Sequence, residues 1–331
     1  MADLILHQYA TSPFSEKIRL LMGAKGLAWQ AVEIPPIMPK PDVVALTGGY
    51  RRTPILQVGA DIYCDTALIC EVIDSAAPAC PLYPASQAAT ARLVAGWLDT
   101  ALFTAAVTYL FQPAGAQSML GHLTPAQMQA FSADRKAMRG ETNALRMPLP
   151  EAIAMLQETF GRLEQQFKAG VAHVAGAELS VADFSLYHNV WFIQRASELA
   201  KLLDAYPAVQ AWYARMKAFG HGTVRVVSAE SALEVARHAD PAALPGGVAA
   251  GSGFEAGDAV TVTPTDYARD PVAGVLVALD AHRATLRRQD PRAGAVNVHF
   301  PRQGYQVQRA GEDPGPATEK QKNHKQPLRT N

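Results

Sequence analysis

Cysteine is scarce in this chain, with only Cys64, Cys70 and Cys80 among 331 residues. Their number is odd and their spacing is not that of zinc ligands, which argues against a disulfide framework and a cysteine-based metal site. Because free cysteine behaves as a small hydrophobic residue, we expect reduced, mostly buried thiols. The sequence therefore predicts no metal.

An excess of either charge is also missing, since 30 basic side chains balance 30 acidic ones. A formal charge of zero removes the usual electrostatic argument for binding nucleic acid or an anionic membrane. We find no apolar run as long as a membrane span, and the first residues lack the basic and apolar segments of a signal peptide. We therefore expect a cytoplasmic protein that binds neither nucleic acid nor membranes.

Short apolar strands and amphipathic helices alternate in residues 1–80. The predicted order is strand, helix, strand, helix, then a β-hairpin and a third helix. This order mixes parallel crossovers with a terminal hairpin and predicts a small α/β domain.

The remaining chain changes its pattern twice. Residues 86–238 have helical periodicity and predict an all-helical domain. Its first two predicted helices are 87–111 and 125–145, with a break expected at Pro113-Ala114-Gly115 between them.

Residues 239–257 are rich in Pro, Gly and Ala, as linkers are. Five short apolar or alternating runs within 258–309 predict a small β-barrel or sandwich. The polar tail, 310–331, has no apolar periodicity, and we expect it to be disordered.

Ser12-Pro13-Phe14-Ser15 lies where the first strand gives way to the first helix. A serine at this position can cap the helix, because its side-chain oxygen accepts a hydrogen bond from a free N–H, and proline is tolerated in the first turn. The same helix N-terminus carries a partial positive charge and can stabilise an anion beside the serine hydroxyl. Position alone leaves both interpretations open.

Three further patterns each have a structural interpretation as well. Pro54 can be an ordinary proline at a strand start, and Asp65 a simple helix cap. Arg51 and Arg52 can be a solvated pair of charges. Ser180, followed three residues later by Asp183 before an apolar run, has the form of a capping box.

Taken in this order, the patterns of residues 1–220 resemble the cytosolic glutathione transferase superfamily, in particular its serine-type, omega- and tau-like members. That family joins a thioredoxin-like domain to an all-helical one. Ser12 matches the catalytic serine, and Thr53-Pro54 matches the pair whose peptide bond is cis, a state found almost only before proline. Asp65-Thr66 matches the acidic and hydroxyl pair that holds the γ-glutamyl end of glutathione. The predicted fold class is thus thioredoxin-like, then helical, then a small β domain.

The resemblance implies that glutathione is the co-substrate and that its thiolate is conjugated to a small electrophile. Lowering the thiol pKa by about two units needs about 2.7 kcal/mol, which a hydroxyl hydrogen bond and a helix N-terminus can supply. Ser12 is the predicted catalytic residue, with Tyr9 second and Ser15 third. The predicted glutathione-binding residues are Ser12, Phe14, Arg52, Thr53, Pro54, Asp65 and Thr66. Arg51 or Lys40 is the alternative to Arg52 for the glycyl carboxylate.

Some features depart from the family pattern. No cysteine occupies position 12 or 15, which argues against thiol-disulfide chemistry. Asp65 is one methylene shorter than the usual glutamate. Four aromatic residues can line an electrophile pocket or belong to the core: Trp97, Phe103, Tyr109 and Phe111. The resemblance also implies a homodimer. The alternative function is a non-catalytic binding protein in which the C-terminal β domain recognises the partner.

Overall fold

The computed structural model describes residues 3–78, 80–140, 147–244 and 246–311. The strands of this described part are β1 (Leu4–Gln8), β2 (Ala28–Glu33), β3 (Ile55–Val58), β4 (Asp61–Cys64), β5 (Thr223–Val226), β6 (Ala259–Pro264), β7 (Val272–Leu279), β8 (Arg283–Asp290), β9 (Gly294–Pro301) and β10 (Tyr305–Arg309).

Three helices accompany the first four strands, and the rest follow in one block with a last helix after β5. They are α1 (Pro13–Ala24), α2 (Pro41–Thr47), α3 (Thr66–Ala76), α4 (Ala88–Trp97), α5 (Phe103–Leu110), α6 (Pro113–Leu120), α7 (Pro125–Arg139), α8 (Leu149–Lys168), α9 (Val181–Gln194), α10 (Ser197–Ala200), α11 (Pro207–Lys217) and α12 (Ala229–His238). A π-helical turn joins α4 to α5, so the predicted helix at 87–111 is continuous. The thioredoxin-like and helical parts of the predicted fold class are confirmed.

All ten strands belong to one sheet in the order β10-β6-β7-β8-β9-β4-β3-β1-β2-β5. The strand-rich C-terminal region is confirmed, but it does not form a sheet of its own as the predicted barrel or sandwich would. Instead β9 pairs in parallel with β4, with Ile62 opposite Val298. This pairing gives backbone partners to a strand that would otherwise be an exposed sheet edge.

A buried polar cluster lies at this junction. The Asp61 carboxylate accepts hydrogen bonds from His299 Nε2 at 2.8 Å, Asn297 Nδ2 at 3.1 Å and the backbone N–H of Ala242 at 2.9 Å. The Tyr63 ring stacks on the His299 ring at 4.4 Å. Ala242 lies in the predicted linker, which is therefore attached to the sheet. The predicted domain boundaries otherwise stay predictions.

The two faces of the sheet have separate apolar cores, because successive strand residues point to opposite sides. Leu6 of β1 packs into the core beneath α1, α3 and the helical domain. Its neighbour Ile5 packs on the other face, with α2, α12 and the C-terminal strands. The C-terminal strands thus share a core with the first domain.

Several local predictions can be compared with the structure. The capping box is confirmed, since the N–H of Ser180 donates to Asp183 at 3.0 Å. Strand β5, parallel to β2, is missing from the prediction, and α6 begins at Pro113, where a break is expected. Proline is compatible with the first turn of a helix, which explains the second error. Residues 141–145 of the predicted helix at 125–145, and residues 312–331 of the tail predicted to be disordered, lie outside the described residues.

Two expectations from composition also have structural counterparts. Cys64 and Cys70 are buried and Cys80 is exposed. The expectation that no apolar run reaches membrane length differs from the structure, since the helical stretch Ala88–Leu110 of the described chain is long and apolar enough to cross a membrane by length and composition alone. Of its apolar window, 44% is buried in the fold. Core helices meet the same measures.

Candidate functional site

Ser12 caps α1 and is 2% exposed. Its Oγ accepts a hydrogen bond from the N–H of Ser15 at 3.1 Å. A serine hydroxyl has one donor hydrogen and two acceptor lone pairs, and the cap uses only an acceptor. The capping role therefore leaves the hydroxyl hydrogen available for an anion at the helix N-terminus.

The residues next to Ser12 in the sequence make different contacts. The Ser15 hydroxyl is buried and has no hydrogen-bond partner among the described residues. Tyr9 is half-buried at the end of β1, and its carbonyl accepts from the N–H of Ser12 at 3.1 Å. Phe14 packs against Phe103 and His188, with ring centroids 4.6 and 4.7 Å apart. Phe14 thus contacts the helical domain.

The Thr53–Pro54 peptide bond is cis, as predicted. The Thr53 hydroxyl is 3.1 Å from the Lys40 ammonium group, which also donates to the carbonyl of Arg51 at 3.3 Å. Burial, together with the nearby charges of Arg135 and Arg51, lowers the pKa of Lys40 to about 8. Lys40 is therefore a buried cation beside the cis bond.

Asp65 and Thr66 begin α3. Asp65 has a φ of 76°, in the left-handed region, and its Oδ1 caps the helix by accepting from the N–H of Ala67 at 2.9 Å. Its Oδ2 accepts from the hydroxyl of Tyr305 at 3.0 Å. Thr66 is buried at the first helical position. Asp65 is thus a helix cap, and it also contacts the C-terminal strands.

Arg52 is held by the loop between β6 and β7. Its guanidinium pairs with the Asp266 carboxylate, donates to the carbonyl of Tyr267, and lies over the Tyr267 ring at 4.0 Å. Arg51 pairs instead with Asp134 of α7. Both arginines therefore have protein carboxylates as partners, and neither is the solvated charge of the structural interpretation.

Sequence reasoning missed Tyr305, Tyr267 and Asp266, because they lie about 200 residues or more beyond Arg52 in the chain. A pattern search along the sequence compares near neighbours and has no signal for this contact. The only available indication was the change to strand periodicity after residue 258, which predicts strands without predicting which strand they join.

The aromatic residues of α4 and α5 divide between surface and core. Trp97 is 41% exposed and Phe111 is 38% exposed. Tyr109 is buried, and its hydroxyl donates to the carbonyl of Leu199 at 3.0 Å. Phe103 packs between Phe14 and Phe192. Because these four aromatic residues divide in this way between surface and core, their role in an electrophile pocket stays a prediction.

A cavity of about 540 Å³ is lined by residues from the end of β1, from α1 and α9, and from the segment after α11. Within it the Glu16 carboxylate is paired with Arg19 at 2.7 Å and with His221 at 3.1 Å. Although burial acts against it, these two partners hold the pKa of Glu16 below its ordinary value. The other lining residues are Gln8, Ala10, Tyr187, Trp191, Lys217 and Gly220. No pattern in the sequence predicts this cavity.

Metal-binding groups were also sought in the described chain. No cluster of three or more His, Cys, Asp or Glu side chains that could hold a metal ion is found there.

The comparisons with known proteins agree with this architecture. Residues 6–81 match the family model "Glutathione S-transferase, N-terminal domain", and residues 133–215 match "Glutathione S-transferase, C-terminal domain". A GST-like protein from Pseudomonas syringae is 39% identical, with a TM-score of 0.78, over 93% of this chain and 100% of that chain. The chain belongs to the glutathione S-transferase superfamily.

Other members of the superfamily are more distant. A glutathione S-transferase from Rhodospirillum rubrum F11 is 18% identical over 65% of this chain and 87% of that chain, with a TM-score of 0.49. Glutathione S-transferase III in its apo form is 20% identical over 66% of this chain and 92% of that chain, also with a TM-score of 0.49. No curated protein matches the chain. Because the Pseudomonas syringae alignment covers 93% of this chain, part of the C-terminal strand region must lie inside it.

Proposed function

We propose that the protein conjugates the thiolate of glutathione to a small electrophile, with Ser12 as the stabilising hydroxyl. The observation that carries the proposal is the buried Ser12 hydroxyl, whose hydrogen is left free by its cap at the N-terminus of α1. A donor hydrogen and a helix N-terminus both favour an anion at this position.

The other predicted residues fit the rest of the tripeptide. The backbone of Thr53, before the cis bond, can pair with glutathione as an added strand does. Asp65 can accept from the γ-glutamyl ammonium group, and Thr66, at the start of α3, can bind the α-carboxylate. Lys40, rather than Arg52, is the residue that we propose binds the glycyl carboxylate, because Arg52 is already paired with Asp266.

The chemical step follows from this placement. The thiol first gives its proton to water, and Ser12 donates a hydrogen bond to the resulting thiolate. The sulfur then attacks the electron-poor carbon of an acceptor such as an aryl halide, where a C–S bond forms and the halide leaves with its electron pair. The protein lowers the barrier by keeping more of the thiol ionised at neutral pH.

Glutathione binding by calorimetry and turnover of an aryl halide test the proposal. We expect Ser12→Ala to reduce kcat at least tenfold while binding is largely kept. Ser228→Ala is the matched control, because Ser228 caps α12 in the same way, accepting from Ser231 at 3.1 Å. Each change removes a cap worth about 1 kcal/mol. Equal turnover by both variants would remove Ser12 from the mechanism.

A second candidate is a glutathione transferase fold that binds without catalysis. It is favoured by the contacts that Asp65 and Arg52 already make with Tyr305 and Asp266. Retention on immobilised glutathione without turnover across a panel of electrophiles would support this candidate.

The expected partners belong to the same proposal. We propose a cytoplasmic homodimer that takes a small electrophile and binds neither nucleic acid nor membranes. The balance of 30 basic and 30 acidic side chains supports the last two points. The family resemblance supports the dimer, which the molecular mass in solution would test.

A further inference from the structure

The start of β10 contacts the candidate glutathione site. Tyr305 is 6% exposed, and its hydroxyl lies 3.0 Å from Asp65 Oδ2 and 2.9 Å from the hydroxyl of Tyr50. The ionised carboxylate can only accept, so Tyr305 gives it its single hydrogen, and Tyr50 must then donate to Tyr305. The result is a directed chain of hydrogen bonds that ends on Asp65.

Both oxygens of Asp65 are held by this arrangement. Oδ1 accepts from the N–H of Ala67, and Oδ2 accepts from Tyr305. A carboxylate offers about four lone-pair sites, so room remains for an ammonium group. The carboxylate is thus fixed in direction while still able to accept from a ligand.

The hydroxyl of Tyr305 contributes little to packing. Its ring already contacts the rings of Phe300 at 5.7 Å and Tyr50 at 6.3 Å, and a phenylalanine would keep both contacts. Burying a hydroxyl is costly unless it is hydrogen-bonded. Burial, and then the charge of Asp65, raise the pKa of Tyr305 well above its ordinary value, so the phenol stays neutral and donates.

We propose that Tyr305 is a positioning residue of the glutathione site, through which the C-terminal strands fix Asp65 for the γ-glutamyl ammonium group. The inference rests on the proposed function. Asp65 is one methylene shorter than the glutamate usual in the family, and a shorter acid has less reach to adjust to the ligand. A second anchor, brought by β10, holds it in one direction before the ligand binds.

The test is calorimetry with two probes, glutathione and the glutaryl analogue that lacks its amino group. Tyr305→Phe should weaken binding of glutathione about fivefold, as expected for losing one hydrogen bond of ordinary net strength, and leave binding of the analogue unchanged. Tyr63→Phe is the matched control, since Tyr63 is a half-buried tyrosine two residues before Asp65 and stacks on His299. It should bind both probes like the unmodified protein.

A double-mutant cycle completes the test. Once Asp65→Asn has removed the charge, Tyr305→Phe should have no further effect on glutathione binding. Equal binding of glutathione by the unmodified protein and Tyr305→Phe, equal loss with both probes, or additive losses in the cycle would each overturn the role of Tyr305 and leave the proposed function standing. Failure of the unmodified protein to bind glutathione would overturn both.

Discussion

The candidate glutathione site can be described as a groove that has Ser12 at one end and Asp65 with Arg52 at the other, and these two ends are built in different ways. At the Ser12 end, the contacts come from nearby in the chain: Ser12 bonds to the carbonyl of Tyr9 and to the N–H of Ser15. At the other end, Asp65 is held by Tyr305 of β10, and Arg52 is held by Asp266 in the loop between β6 and β7. One end therefore forms with its helix, and the other requires the whole sheet.

This difference means that the two ends can be damaged separately. A cap is a local interaction that forms whenever α1 forms. The contacts of Asp65 and Arg52 depend on the pairing of β4 with β9, some 230 residues apart in the chain. Changes at that junction should weaken one end and leave the other intact.

The largest effect is expected from Asp61→Ala. The change leaves the buried Nε2 of His299 without an acceptor. It also removes one acceptor from Asn297 Nδ2, which keeps the carbonyl of Ala242, and from the N–H of the exposed Ala242. Leaving a buried donor unsatisfied costs about 1–3 kcal/mol. We expect the free energy of unfolding in urea to fall by about 3 kcal/mol.

Glu234→Ala is the control, since its exposed pair with Arg237 contributes little. A fully stable Asp61→Ala protein would show that the junction of β4 and β9 does not depend on this carboxylate.

Asp65→Asn tests the far end of the groove directly. Asparagine keeps the helix cap and tolerates a positive φ, but it lacks the charge that pairs with an ammonium group. We expect the Kd for glutathione to rise about tenfold, corresponding to about 1.4 kcal/mol, while kcat at saturating glutathione is preserved. This is the reverse of the pattern expected for Ser12→Ala. A loss of kcat with unchanged Kd would contradict the assignment of glutathione binding to the Asp65 end and of turnover to the Ser12 end.

A smaller effect concerns pH, since each half of the sheet buries a histidine. Burial lowers the pKa of His7 from 6.5 to about 4, and burial also lowers the pKa of His299. As the pH falls from 7.5 to 5.5, these histidines become protonated in the unfolded chain but stay neutral in the folded protein. The free energy of unfolding therefore decreases as the pH decreases.

His7→Gln should recover about 1 kcal/mol of this pH-dependent loss, measured as the difference in unfolding free energy between the two pH values. His299→Gln should act in the same direction at the junction. An unchanged pH slope in both variants would exclude these histidines as its cause.

The smallest effect is expected at Lys40. Because its pKa is about 8, its charge is lost as pH rises from 7 to 8.5. Binding of S-methylglutathione, which has no thiol to ionise, should weaken about threefold over this range, by linkage between proton and ligand. Lys40→Arg keeps its charge and should show no such change. Identical pH profiles would assign the glycyl carboxylate to another residue.

Features with local causes were predictable from the sequence. The cap at Ser12, the capping box at Ser180 and the cis bond before Pro54 each depend on residues within a few positions of one another. Cap and turn preferences act over this range, which is why the pattern of residues carries them. The role of each residue toward glutathione stays a prediction.

Features with distant causes were not predictable. Strand β5 has only four residues and all of them are exposed, so its short alternation of valine with polar residues buries no face in the core and was not recognised as a strand. The pairing of β9 with β4 follows from which sheet edge is open after folding, and strand patterns do not encode the partner.

The sequence by itself determined the family and the Ser12 end of the groove, because helix caps and strand periodicity are local properties of the chain. Only the tertiary structure decided that Tyr305 and Asp266 meet Asp65 and Arg52. Those contacts exist because the C-terminal strands extend the first sheet and bring distant side chains to the start of α3, and long-range strand pairing of this kind is selected by packing and backbone hydrogen bonding in the folded molecule.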